Sequence, residues 1–223
     1  GSTNHAYDQG ASGILHSIQV FNKYPRMTYL GLYKNEEEKQ NIKIVKKNGI
    51  KIAFVSFNQY VNGVTYQEKL PYMINFHEST MMENMKKARE NADIVIVSCH
   101  WGIEYDYYPN IFQKNMAKQL ADAGADVIIG THTHTLQDVE YIQRADGKRT
   151  LVAYSLGNFV SGMLEESCQL EGMLSFDIEK KKIKNVVFTP LVNYYTLTGK
   201  RERHDFSVYR LKDYTNKLVE KHG

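Results

Sequence analysis

The chain has no long hydrophobic run. None of its 223 residues belongs to a stretch approaching the roughly 20 apolar residues that cross a bilayer as a helix. No charged-then-apolar leader stands at its start. Cysteine is scarce: Cys99 and Cys168 are the two. They lack the paired spacing of a metal site; Cys99 falls in an apolar run and reads as a small apolar thiol, and no disulfide is expected. Internal repeats and low-complexity linkers are absent from the sequence. So are a basic helix and an aromatic ladder on a basic strand, which sets nucleic-acid binding aside. Neither sign of charge dominates. Lys and Arg number 28 against 25 Asp and Glu, a net charge of +3, and this mild excess suits an anionic partner. What remains is 42% hydrophobic and 24% charged, enough to bury a core, and residues 1–223 read as a single domain.

Two apolar runs carry the chemistry. Val127-Ile128-Ile129 has the unbroken apolar character of a strand covered on both faces, and it leads into Gly130-Thr131-His132-Thr133-His134. Gly130 is expected to let the backbone turn so that both imidazoles aim at one point. Upstream, Ile94-Val95-Ile96-Val97 runs through Ser98 and Cys99 into His100-Trp101-Gly102. Between the two runs, Ile111, Phe112, Met116, Ala117 and Leu120 recur at helical spacing. Strand, helix, strand at this length is a parallel βαβ crossover. It puts His100, His132 and His134 on one carboxyl edge of the sheet, where ligands of α/β folds gather. Neutral imidazole is the commonest protein metal ligand, so the edge is a candidate metal site. Edge or loop histidines without a ligand fit the same pattern.

A third element opens the chain: Asn4-His5 with Asp8 and Gly10, before a helix-like stretch through Ile14, Ile18 and Phe21. Asn4 can ligate a hard cation through its amide oxygen. His5 can give a proton to a leaving group. A plain capping loop, with Asp8 bonding first-turn amides, reads the same residues differently.

The rest reads as scaffold. Residues 41–45 and 50–57 form a hairpin around Asn48-Gly49, and 79–91 a helix capped by Ser79 or Thr80. Residues 137–143 pair with 149–154 around Asp146-Gly147, and 172–178 with 183–191 around Lys180 to Lys182. An edge strand over 205–209 and a helix over 211–219 follow. Residues 59–78 have weak periodicity and read as a long loop near the site. Tyr105, Tyr107 and Tyr108 line either a groove or ordinary surface. The element order gives an α/β fold of two mixed β-sheets flanked by helices.

Asn4-His5-x-x-Asp8-x-Gly10, His100-Trp101-Gly102 with Glu104 and Tyr105, Gly130-Thr-His132-Thr-His134 and Tyr154-Ser-Leu-Gly157-Asn158-Phe159 together resemble the CapA/PgsA family. These are poly-γ-glutamate capsule synthesis proteins within the calcineurin-like metallophosphoesterase superfamily. The resemblance runs from Asn4 to about Ser161. It implies a metallophosphatase-like sandwich and a two-metal site. Asn4, His100 and His132 would hold the second metal and His134 the first, with His5 as general acid. Asp8, Gly10, Gly130 and Asn158 would shape the loops around it. In such sites the ions clamp phosphoryl oxygens.

The family pattern also has an upstream Gly-Asp strand end and a bridging carboxylate. This sequence starts at the Asn-His motif, so the expected fold lacks the first N-terminal strands. Without those carboxylates a hard-metal site is under-charged, and this segment is expected to turn over p-nitrophenyl phosphate poorly or not at all. The resemblance implies a divalent metal, Mn²⁺ or similar, in the longer protein. It also implies a location at the extracellular face of the cell membrane, held by an N-terminal hydrophobic anchor outside this sequence. Expected partners are an anionic polymer (poly-γ-glutamate) or a phosphate ester, and other capsule-synthesis membrane proteins, with self-association into a homo-oligomer as one way to cover a bare sheet edge. Three functions stay open: a metal-dependent phosphoesterase-like hydrolase, a non-catalytic polyanion-binding component of the same machinery, and an interaction domain with structural histidines. The substrate-binding residues are unknown from sequence.

Overall fold

A computed structural model describes residues 1–62, 69–70, 72–199 and 201–222. Helix α1 (Gly10–Asn22) and the short α2 (Glu36–Gln40) precede a hairpin of β1 (Lys43–Lys47) and β2 (Ile50–Asn58). Then come α3 (Glu78–Asn91), β3 (Ile94–His100), α4 (Ile111–Asp122), β4 (Val127–Thr131), β5 (Val139–Gln143) and β6 (Arg149–Ala153). The chain ends with β7 (Leu170–Glu179), β8 (Lys182–Thr198), β9 (Glu202–Arg210) and a one-turn α5 (Asn216–Val219). The fold is α/β. A six-stranded sheet has the order β1-β2-β3-β4-β6-β5 and a three-stranded sheet the order β7-β8-β9.

In the larger sheet β2, β3, β4 and β6 are parallel, with antiparallel β1 and β5 closing its two edges. The βαβ crossover expected from the apolar runs is present: His100 of β3 pairs in register with Thr131 of β4. Residues of alternate parity build the core on one sheet face. Ala53, Val55 and Phe57 of β2 and Val95, Val97 and Cys99 of β3 meet Met81, Met85 and Ala88 of α3 and Met116, Ala117 and Leu120 of α4. The helical spacings of these residues present one stripe to the sheet. Each large side chain among them contributes about 1.5–3 kcal/mol on leaving water. Both cysteines are buried and free. A second cluster gathers Tyr7, Ile14 and Ile18 with Leu32, Met73 and Ile74, which ties α1 and the opening loop to the body.

Below the strands, Asp126 accepts from Arg89 at 2.9 Å, from Arg144 at 3.3 Å and from the Val95 amide at 2.8 Å. This stitches α3, β3 and the start of β4 together. The outer strand β1 carries Lys43, Lys46 and Lys47.

Several details differ from the sequence reading. Helix α3 begins one residue earlier, with His77 as its N-cap and no side-chain cap bond; Ser79 and Thr80 lie inside its first turn. The second sheet is purely antiparallel, because its three strands are joined by tight turns and no crossover helix intervenes. Residues 211–213 form a 3₁₀ turn and α5 is four residues long, so no continuous C-terminal helix forms. Of the 59–78 segment, 63–68 and 71 lie outside the described residues; the parts on either side pack beside the histidine edge. Among the described residues no helix is long and apolar enough to cross a membrane.

Candidate functional site

The carboxyl ends of β3 and β4 bring Asn4, His100 and His132 together. His100 Nε2 lies 2.9 Å from Asn4 Oδ1, across 96 residues of sequence. The His100 and His132 ring centroids are 4.6 Å apart. His134 stands farther out, its ring 6.2 Å from that of His132. It is pinned by Asn158 Oδ1 at 2.7 Å from Nδ1, with Glu104 3.9 Å from Nε2. His5 is not in this cluster of rings: it is exposed and bonds Asp8 at 2.7 Å. Asp8 therefore orients His5, and α1 starts without a side-chain cap from it; its N-cap is Gln9. Gly10 opens α1 at φ +61°, a conformation natural to glycine.

Gly130 plays a different part from the one expected. It lies inside β4, and the sharp turn belongs to His132 at φ +106°, followed by His134 at φ +63°. Glycine is required at 130 because a Cβ there would collide with the Tyr154 carbonyl and the Trp101 indole. Trp101 Nε1 donates to that carbonyl at 2.9 Å, and both rings are fully buried. The Trp101 ring and the Tyr154 carbonyl thus leave no room for a side chain at this point of β4. The two histidines beyond it adopt left-handed backbone, which costs about 1–3 kcal/mol each and concentrates at functional positions.

Burial sets the protonation of the cluster. The pKa of His100 is pushed down to about 3, chiefly by desolvation and in part by its neighbours His132 and His134. His132 is lowered too, again chiefly by burial, against an opposing pull from Glu104. Both rings are neutral near pH 7 and offer lone pairs. Their second nitrogens matter as much. His100 Nδ1 meets Thr131 Oγ1 at 3.1 Å, and Thr131 Oγ1 can in turn donate to the Cys99 carbonyl at 3.4 Å. Two proton arrangements fit the His100 ring, the second only with a cation between it and Asn4. In one, Thr131 donates to Nδ1 and Nε2–H donates to Asn4. In the other, Nδ1–H donates to Thr131, and the Nε2 lone pair faces the Asn4 oxygen across a point suited to a cation. Tyr60, from the loop after β2, places its hydroxyl against His132 Nε2.

Asn4, His100 and His132 therefore supply two nitrogens and one amide oxygen, a partial donor set for one ion. Among the described residues, no three His, Cys, Asp or Glu side chains stand arranged to hold a metal. A two-ion centre does not fit these residues alone, since hard divalent cations need carboxylate charge. Thr131 and Tyr60 were not apparent from sequence. Thr131 lies in the run of the β4 motif and could have been found by pairing it with His100; Tyr60 had no local signal.

Residues 2–163 match the family described as bacterial capsule synthesis protein PGA_cap. The chain is 35% identical over 164 residues to "Capsule biosynthesis protein CapA" of Bacillus anthracis, covering 71% of this chain and 38% of that protein. It is 30% identical over 191 residues to "PGA biosynthesis protein CapA" of Bacillus subtilis strain 168, covering 85% and 49%. The chain thus spans less than half the length of either relative. A solved structure of a hypothetical protein from Thermus thermophilus overlays 75% of this chain and 60% of its own at a TM-score of 0.35 and 13% identity, a superposition that adds nothing to the assignment. The family match takes in Asn4, His100, His132, His134 and Asn158, and by it the chain belongs to the CapA family of bacterial capsule synthesis proteins.

Proposed function

We propose that the protein acts in the production of a poly-γ-glutamate capsule, at the outer face of the cell membrane. In this reading its domain is a metallophosphatase-like sandwich whose histidine edge takes a divalent ion and an anionic group of the polymer or a phosphate ester. The observation that supports it is the meeting of Asn4, His100 and His132, from three distant parts of the chain, inside the region that matches the family. Both buried imidazoles are neutral, as ligands must be. The ion would be held by Asn4 Oδ1 and the imidazoles of His100 and His132, with His134 on the outer side and carboxylates supplied from beyond the described residues. His5, oriented by Asp8, stands ready to give up a proton.

A second reading has a specific observation behind it. Among the described residues no carboxylate joins the three neutral donors, which suits a component that holds polymer without hydrolysing anything. One experiment tests both the ion site and the capsule role. Asn4→Ala and His132→Ala are introduced into the full-length protein, which is then assayed for bound Mn²⁺ by elemental analysis and for secreted polymer. Loss of both is expected. Metal content equal to wild type in both variants ends the ion-binding reading, and unchanged polymer at normal protein levels ends the capsule role of this edge.

A further inference from the structure

A large cleft lies away from the histidines. It is an open cleft of about 680 Å³ between the β7–β8 turn and the amino-terminal ends of β3 and β4. Its walls carry six cations, Arg89, Lys148, Arg149, Lys180, Lys181 and Lys182, against two carboxylates, Asp93 and Asp126. The local excess, six minus two, exceeds the +3 of the whole chain. The two carboxylates are committed elsewhere. Asp126 is held by Arg89, Arg144 and a backbone amide. Asp93 accepts from the Lys51 amide at 2.9 Å and pairs with Lys181 at 2.7 Å. Arg149, Lys180 and Lys182 have no carboxylate partner among the described residues. Arg149 lies over the Tyr141 ring, 4.7 Å from its centroid. Stacking of this kind holds the planar guanidinium in place and leaves its edge free for a carboxylate. A concave wall of one charge also concentrates field and draws in counter-charge.

We infer that this cleft is a binding site for a polycarboxylate chain, separate from the histidine edge. The inference rests on the reading of the protein as a capsule-polymer component. The wall favours carboxylates over phosphates. The helix facing the cleft, α3, presents its carboxyl end here, whereas phosphate sites favour helix amino ends. The attraction comes from separate side-chain cations, which match charges spaced along a flexible chain. A single tyrosine, already covered by Arg149, gives no stacking ladder for bases. The cleft and the histidine edge lie at opposite ends of β3, roughly 20 Å apart at about 3.3 Å per residue. An extended polymer is long enough to touch both, so the cleft grips the chain while the other end acts on it.

The test uses fluorescein-labelled poly-γ-glutamate of defined length, with anisotropy measured at low and at physiological salt. The proteins are wild type, Arg149→Ala/Lys182→Ala and Arg149→Lys/Lys182→Arg, each checked for an unchanged thermal midpoint. The double alanine variant is expected to bind about tenfold more weakly with a shallower salt dependence. The charge-preserving variant keeps most of the affinity. Unchanged affinity in the double alanine variant overturns the site while leaving the capsule reading intact. Wild type that ignores poly-γ-glutamate but binds poly-aspartate, sensitive to the same two substitutions, keeps the cleft and removes the capsule reading. Equal or tighter binding of inorganic polyphosphate overturns the carboxylate assignment.

Discussion

Replacing Gly130 by alanine should unfold this protein far more readily than the loss of a small residue suggests. The added Cβ would fall inside 3.0 Å of the Tyr154 carbonyl and of the Trp101 indole nitrogen. The first is backbone at the end of a parallel ladder and the second is a fully buried ring, so neither moves cheaply. Relief requires β4 to shift from β6, which stretches the 2.9 Å bond from Trp101 to Tyr154. Overpacking a core costs about 1–3 kcal/mol. Stranding a buried donor and acceptor costs about 1–3 more. A total of about 2–6 kcal/mol is a large part of the 5–15 or so that holds a domain together. In urea, with a slope of about 3 kcal/mol per molar, the midpoint should drop by about 1–2 M. Gly147→Ala is the control. It has positive φ (+81°) but no neighbour within 4 Å of a Cβ, so it should lose only about 1–2 kcal/mol. A Gly130→Ala midpoint within about 0.3 M of wild type, or a control that suffers as much, would refute the close-approach argument.

Two further outcomes follow from buried groups and strained backbone. Glu171 is fully buried, and neither carboxylate oxygen has a partner; desolvation raises its pKa from 4.5 to about 8. The folded state then binds more protons than the unfolded, so this contribution is fully present below about pH 4.5 and is lost as pH rises through about 8, at up to about 1.4 kcal/mol per pH unit. Urea midpoints at pH 6 and 8.5 should converge in Glu171→Gln and diverge in wild type; equal slopes in both would discard the assignment. At His132, φ +106° penalises every residue with a Cβ, so His132→Gly should be about 1–2 kcal/mol more stable than His132→Ala by thermal melting. The reverse order would show that the turn is not strained.

How much of this was legible follows from the range of the signal. Strands β3 and β4 and the helix between them are local patterns, and the period of their apolar residues gave both their type and their parallel pairing. The hairpin at Asn48-Gly49 announced itself by turn chemistry. The α3 cap did not, because His77 caps by backbone alone and leaves no residue-type signature. Contacts across the fold were legible only as far as topology or the family resemblance implied them. That His100 and His132 share an edge follows from the crossover. That Asn4 reaches His100 is what the family resemblance implies for these residues; that Tyr60 reaches His132 depends on loop packing that no periodicity encodes. Gly130 was recognised as necessary for the wrong reason: sequence shows that a glycine is present but not whether it serves a turn or a crowded neighbour. Glu171 sits in an alternating strand where a carboxylate reads as a solvent-facing residue, yet it is buried, with Gly157 close against it.

The lysines on β1 have a consequence for the protein in crowded solution. An outermost strand exposes unused amide and carbonyl groups to any other chain that arrives in extended form. Lys43, Lys46 and Lys47 make that border mutually repellent between copies, so stacking of molecules edge to edge into filaments is opposed before it can start. Exchanging the three for threonine would leave the fold's interior untouched and turn the border into an adhesive one, visible as turbidity that grows with protein concentration.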